Sequence, residues 1–150
     1  MTQEEKQLLI KDLCARLPYG VKMQFSEKFP EWFAKKHGEG TTVTPFTLDV
    51  SSIGFVMINI NNDVNDVKPY LRPMSSMTEE EKEELKLEHV KDTRLLADAL
   101  TKTAEGDTSM RGKVILHFAV DWCNKNHFDF RGLIEKELAL EAPEDMYKIK

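Results

Sequence analysis

Several features that define common protein classes are scarce or missing in this chain of 150 residues. It has only two cysteines, Cys14 and Cys123, and neither belongs to a Cys-x-x-Cys pair, so neither a disulfide framework nor a cysteine-based zinc site is indicated. Both cysteines fall on predicted apolar helical faces, where a free thiol acts as a small hydrophobic group. We therefore expect both thiols to be inert.

The sequence motifs of the commonest enzyme classes are also absent. The chain contains no Gly-x-Gly-x-x-Gly, no phosphate-binding loop and no Gly-x-Ser-x-Gly turn. No two of its four histidines are one helical turn apart, which is the spacing that a helical zinc site needs. We therefore predict no catalytic residues, no metal site and no cofactor. The histidines are His37, His89, His117 and His127.

No segment is long and apolar enough to be read as a membrane span. The longest strongly apolar run covers residues 53–60, far short of the ~20 residues that cross a bilayer. The first five residues are acidic and polar, whereas an export signal starts with basic residues followed by an apolar run. We expect a cytoplasmic protein without membrane contact.

The composition is that of an ordinary globular protein, with 41% apolar and 31% charged residues. Its length fits one domain, which we place at residues 1–150. The net charge is −5, from 21 basic and 26 acidic residues, so generic attraction to nucleic-acid phosphates is expected to be weak. The acidic residues are concentrated at residues 78–98, where acids at a helix start match the helix dipole.

The apolar spacing predicts the α+β class, a small antiparallel sheet of three or four strands packed with an N-terminal helix and C-terminal helices. Strands are predicted at residues 21–25, 41–50 and 54–60, followed by a turn at residues 61–63. Capping boxes predict helix starts at Thr2 and Thr78, and an apolar stripe predicts a long helix over residues 110–123 that ends at Asn124 or Asn126. Asp129 is expected to cap a last short helix. Residues 26–37 fit either a short helix or an irregular excursion.

Two segments carry more potential binding residues than packing requires. The first is a connector at residues 67–77, which two prolines hold in extended geometry. The second is the turn at residues 122–132, with four aromatic side chains, counting histidine, between residues 122 and 130. Arginine and aromatic residues are frequent anchors in interfaces, although both segments would also serve to lock helices onto the sheet. The candidate partner-binding residues are Lys68, Tyr70, Arg72, His127, Phe128 and Arg131.

The same segments carry a resemblance to a known group. The sequence Lys-Pro-Tyr-Leu-Arg-Pro-Met-Ser at residues 68–75, Asp-Trp at 121–122, His-Phe-Asp at 127–129 and Gly-Leu-Ile-Glu-Lys at 132–136 resemble short proteins of gut-bacterial prophages and phages. Residues 17–21 are also similar to that group. No activity, cofactor or catalytic residue is known to us for the group. The resemblance implies a phage or mobile-element accessory protein that acts inside a bacterium.

Three functions fit these observations. The first is a non-enzymatic protein-binding or regulatory module whose partner is an unidentified host or phage protein. The alternative is a nucleic-acid or nucleotide binder that uses a local basic and aromatic patch. Its candidate residues are Trp32, Phe33, Lys35, Lys36, Lys68, Arg72, Arg111 and Arg131. The third is a small hydrolase or transferase using His117, Asp121 or His127, because His117 and Asp121, like Cys123 and His127, are four residues apart.

Overall fold

The computed structural model describes residues 1–25, 45–63, 67–85, 93–105 and 113–148. Its helices are α1 (Gln3–Arg16), α2 (Ile53–Asn62), α3 (Glu79–Glu84), α4 (Thr93–Ala104) and α5 (Lys113–Lys125). Its strands are β1 (Lys22–Phe25), β2 (Phe46–Thr47), β3 (Val67–Leu71) and β4 (Leu140–Glu141), and short 3-10 helices cover Leu17–Tyr19 and Met74–Ser76. The predicted α+β class is confirmed. None of the described helices has the length and apolar character needed to cross a membrane.

The chain divides into two compact units. The first contains Met1–Tyr70 and Glu137–Leu140, and the second contains Leu71–Lys136 and Glu141–Lys150. The sheet has the strand order β2-β1-β3-β4, and β1 runs antiparallel to both β2 and β3. Met23 of β1 lies opposite Phe46 on one side and Pro69 on the other.

The strand predicted at residues 21–25 is confirmed as β1, in which buried and half-buried side chains alternate. The strand predicted at residues 41–50 is observed only as β2, and residues 41–44 lie outside the described residues. Residues 26–37, whose sequence fits either a short helix or an irregular excursion, also lie outside the described residues.

The segment interpreted as a connector begins with a strand. Residues 67–71 form β3, with Val67, Pro69 and Leu71 buried and the two residues between them half-buried. The extended geometry that proline imposes on its neighbour is also strand geometry, so the same sequence fits a connector or a strand. Pairing with β1 decides between them.

The strand predicted at residues 54–60 is wrong, because these residues form α2. A short apolar run has no clear periodicity, so burial rather than pattern selects its structure. The buried residues Val56, Asn59 and Ile60 recur at helical spacing. A turn at Asp49, whose carboxylate accepts the backbone N–H of Ser52 at 2.9 Å, precedes the helix. The helix ends at Asp63 with a positive φ of 50°.

The core of the first unit contains one buried ion pair. Arg16 and Asp12 of α1 are both fully buried, with Nε–Oδ2 and Nη2–Oδ1 distances of 2.8 and 3.0 Å. They lie among apolar side chains such as Leu9 and Leu13. The expectation that Cys14 lies on an apolar face is wrong, because it is exposed, one position away from the buried stripe.

The second unit is built on α4 and α5, whose inner faces share one apolar core. Its buried members are Met74, Met77, Leu85, Leu96, Leu100, Ala119, Trp122, Cys123, Phe128 and Phe130. The helix predicted over residues 110–123 is confirmed from Lys113 onward as α5, while residues 110–112 lie outside the described residues. Burial of Cys123 is also confirmed. The last short helix predicted after Asp129 is observed as a series of turns.

We predict that Asp12→Ala destabilises the protein by about 3–5 kcal/mol, because it removes the buried carboxylate that pairs with the Arg16 charge. Chemical denaturation measures this change in the free energy of unfolding. Asp98→Ala is the matched control, since Asp98 and Lys102 form an exposed ion pair with the same four-residue spacing on α4. It should cost no more than about 0.5 kcal/mol. Equal losses in the two variants would contradict the structural role of the buried pair.

Candidate functional site

The two segments that the sequence singles out meet in the second unit. The backbone N–H of Arg72 donates to the carbonyl of His127 at 2.8 Å, and the N–H of Asp129 donates to the carbonyl of Arg72 at 2.8 Å. These bonds form an isolated parallel bridge between Arg72 and Phe128. The middle of the connector and the aromatic turn are therefore one structural feature, which we call the Arg72 bridge.

The side chain of Arg72 strengthens this bridge. Its guanidinium makes two parallel hydrogen bonds to the carboxylate of Glu81 in α3, at 2.9 and 3.0 Å. It also lies 4.0 Å from the centroid of the Phe128 ring, a cation–π distance. Phe128 in turn stacks on Trp122, with ring centroids 5.6 Å apart. Arg72 thus joins α3 to the end of α5, and two of its five N–H donors are used by Glu81.

Ionisation of Glu81 depends on this contact. Burial opposes the charged form, but hydrogen bonds from Arg72 and from Thr78, together with the positive charge of Arg72, outweigh it and lower the pKa of Glu81. The capping box predicted at Thr78 is confirmed, since Thr78 and Glu81 exchange backbone-to-side-chain hydrogen bonds of 2.9 and 3.2 Å. The same carboxylate therefore caps α3 and holds Arg72.

The aromatic turn is fixed by the way α5 ends. His127 takes the left-handed conformation, with φ at 62°, while Phe128 N–H bonds to the carbonyl of Cys123 and His127 N–H to that of Asn124. This is the bonding pattern of a Schellman motif. We expected the stop at Asn124 or Asn126, because asparagine tolerates positive φ, but the left-handed residue is His127. Side-chain packing outweighs local preference here, since the His127 ring stacks 4.0 Å from that of Tyr147.

Asp129 closes the turn that follows. Its two carboxylate oxygens accept the backbone N–H groups of Leu133 and Ile134, both at 2.8 Å. The capping role predicted for Asp129 therefore exists, although it caps turns rather than a helix. The buried position of Leu133 follows from it.

The six candidate partner-binding residues fall into different settings. Lys68 and Tyr70 belong to the first unit, where both are half-buried on β3 and the Tyr70 hydroxyl donates to Gln24 of β1. In the second unit, His127 and Phe128 are buried. The remaining two are Arg72, held by the bridge, and Arg131, which is half-buried.

Arg131 is the candidate that lines a groove beside α4. Its guanidinium is 4.3 Å from the Phe130 ring centroid, and its Nη1 lies 3.5 Å from Oδ1 of Asn124. Arg131 lines a groove of about 780 Å³, which we call the first groove. The groove is lined by residues 73–75, 97, 98, 101, 129–132 and 134–136.

A second groove of about 650 Å³ includes Pro73 among its lining residues, as the first does. It is lined by residues 72, 73, 76, 78, 80, 81, 126, 141–144, 147 and 148. Sequence reasoning missed this groove, because its carboxylates come from α3 and from the C-terminal segment. No local sequence motif joins those regions, and a contact map would have been needed to find it.

The residues considered for chemistry are only partly described. His37 and His89 lie outside the described residues, as does the side chain of His117. Within the described part of the chain, no group of three or more His, Cys, Asp or Glu side chains is placed to hold a metal ion. For the nucleic-acid alternative, Trp32, Phe33, Lys35, Lys36 and Arg111 lie outside the described residues. Its other basic candidates are divided between the two units.

Comparison with known proteins adds no relative. No family model, no curated protein and no solved structure matches the chain. Functional inference therefore rests on the site itself.

We predict that Glu81→Gln lowers the free energy of unfolding by about 1–3 kcal/mol at neutral pH, because a hydrogen-bonded charge pair is lost. Glutamine preserves the capping box, so the variant isolates the contact with Arg72. Because folding lowers the pKa of Glu81, its stabilisation is complete above the ordinary value of 4.5 and is lost as pH falls through the folded-state pKa.

The wild-type protein and Glu81→Gln should therefore converge in their free energy of unfolding when the pH is lowered below the folded-state pKa of Glu81. Denaturant unfolding across a pH series measures the convergence. Glu83→Gln on the exposed face of α3 is the control and should change little at any pH. A difference between the wild-type protein and Glu81→Gln that persists unchanged in acid would contradict this account.

Proposed function

We propose that this chain is a non-enzymatic protein-binding module, a phage or mobile-element accessory protein that acts by holding a host or phage protein. The biological context comes from the sequence resemblance at residues 68–75 and 121–136. Support for protein binding comes from the first groove, where Arg131, a half-buried member of the predicted aromatic turn, lies over Phe130.

The observation that carries the proposal is that the groove has fixed walls. One wall, Pro73 to Ser75, directly follows the Arg72 bridge. Another part of the lining is fixed by the carboxylate of Asp129, which accepts two backbone N–H groups. In addition, Oγ1 of Thr101 lies 2.8 Å from the carbonyl of Phe130, which ties α4 to the turn. A preformed groove lowers the entropy lost when a partner binds.

The lining suits a protein segment better than a nucleic acid. Met74 and Phe130 form an apolar floor, with Ile134 half-buried beside them. Methionine, aromatic residues and arginine are enriched at protein interfaces. The charged groups are of both signs, with Asp98, Asp129 and Glu135 against Arg131 and Lys136. A phosphate backbone would meet no net positive charge there.

We predict that the double variant Arg131→Ala/Ile134→Asn weakens partner binding at least about tenfold, because it removes an arginine anchor and an apolar contact from the groove. The partner would be captured with the tagged protein from a lysogenic or infected bacterium, identified by mass spectrometry and purified. Its affinity for each variant would then be measured by calorimetry. Arg72 and Tyr70 are unsuitable for this test, because their side chains hold the fold.

Ile58→Asn is the matched control, since Ile58 is an exposed isoleucine on α2 of the first unit, 59% accessible. It should bind the partner with unchanged affinity. Thermal unfolding would establish that each variant is folded. Unchanged affinity of the folded groove variant, or an equal loss in the Ile58→Asn control, would overturn the assignment of binding to the first groove.

A further inference from the structure

The excess of acidic over basic residues is larger in the second groove than in the first. Its lining contains four carboxylates, from Glu80, Glu81, Glu141 and Glu144, and two cationic side chains, from Arg72 and Lys148. Arg72 is paired with Glu81, and Lys148 lies 3.1 Å from Asp145, outside the lining. Each of the two cations therefore has a carboxylate partner, although the Lys148 pair is exposed to solvent.

The remaining three carboxylates belong to Glu80, Glu141 and Glu144. Among the residues that the structure describes, none forms an ion pair with them. Two of them come from the C-terminal segment and one from the start of α3, so the fold brings them to a single groove. Carboxylates held together without a cation create a negative potential that attracts positively charged groups.

The groove also offers contacts that a polypeptide would use. The Tyr147 ring lines it and is backed by the His127 ring at 4.0 Å, which holds an aromatic surface beside the carboxylates. Aromatic faces attract ammonium and guanidinium groups. Asn126 donates its side-chain N–H to the carbonyl of Trp122, and in the described part of the chain no donor contacts its Oδ1. That oxygen is available to accept a backbone N–H from a bound segment.

From this geometry we infer that the second groove binds a basic segment of a partner protein, with lysine or arginine side chains at Glu80, Glu141 and Glu144. The volume of about 650 Å³ exceeds what one side chain fills, so the occupant is a stretch of polypeptide. This site is separate from the one proposed for the first groove and does not depend on it.

The test uses the full chain and a short capped peptide in which lysine alternates with alanine. Amide chemical shifts in NMR titrations report both the affinity and the location of binding. The lysine peptide should shift resonances of Glu80, Asn126, Glu144 and Tyr147, and binding should weaken as salt rises. The same peptide with glutamate in place of lysine should leave these resonances unchanged.

Two charge-matched triple variants test the carboxylates. Glu80→Gln/Glu141→Gln/Glu144→Gln should weaken peptide binding at least about fivefold, because three charge contacts are lost. The control Glu4→Gln/Glu83→Gln/Glu105→Gln removes the same charge from exposed positions outside the groove and should retain the affinity. Chemical shifts elsewhere in each variant show whether it is folded.

Several outcomes would overturn the inference. They are no binding of the lysine peptide, equal binding of the glutamate peptide, shifts confined to residues outside the groove, or equal losses in the two triple variants. A free polyamine that binds as tightly as the peptide would also overturn it, because the polypeptide backbone would then contribute nothing. Because the probe is a peptide rather than the captured partner, none of these outcomes bears on the first groove.

Discussion

The second unit depends on one contact between segments that are far apart in the sequence. Two backbone hydrogen bonds join Arg72 to His127 and Asp129, and the Arg72 guanidinium binds Glu81 while lying over Phe128. Bringing distant segments together costs loop-closure entropy, so such a contact persists only where several interactions act at the same place. Here hydrogen bonds, an ion pair and a cation–π contact coincide on a single residue.

This arrangement explains why residues typical of binding sites are largely unavailable for binding. Arg72, His127 and Phe128 resemble interface anchors in sequence, but their side chains are used to hold α3 and the end of α5 in place. What is left at the surface are the groups beside them, such as Arg131 in the first groove and Glu144 in the second. Arg72, His127 and Phe128 hold the surrounding structure in place, and the residues beside them are the ones available for contacts. Pro73 immediately follows Arg72 and lines both grooves, so each groove has one lining residue next to the Arg72 bridge.

Local signals in the sequence predicted much of the fold correctly. The capping boxes at Thr2 and Thr78 place helix starts, because they satisfy backbone groups within one turn. The apolar stripe of α5 and the alternation in β1 also depend only on near neighbours. The α2 helix could not be predicted, since its apolar run fits a strand equally well until burial of Val56 and Ile60 decides. Whether the two units behave as the single domain expected from chain length stays a prediction.

The sequence indicated the two segments that meet at the candidate site, but it did not indicate the contacts that join them. Composition drew attention to residues 68–76 and 122–132, and the structure joins the middle of one to the middle of the other through Arg72 and Phe128. The sequence did not indicate Glu81 as the partner of Arg72, because Glu81 belongs to a run of acidic residues that a helix dipole already explains. The second groove could not be predicted for a different reason, since Glu80 and Glu144 come from distant parts of the chain.

Native-state hydrogen exchange at the Arg72 bridge tests the central claim most directly. If the bridge holds the second unit together, the amides of Arg72 and Asp129 exchange only when the unit unfolds. Their opening free energies should then lie within about 1 kcal/mol of the most protected amides in α5. Exchange of these two amides as fast as that of the exposed Glu137, while α5 remains protected, would contradict the account.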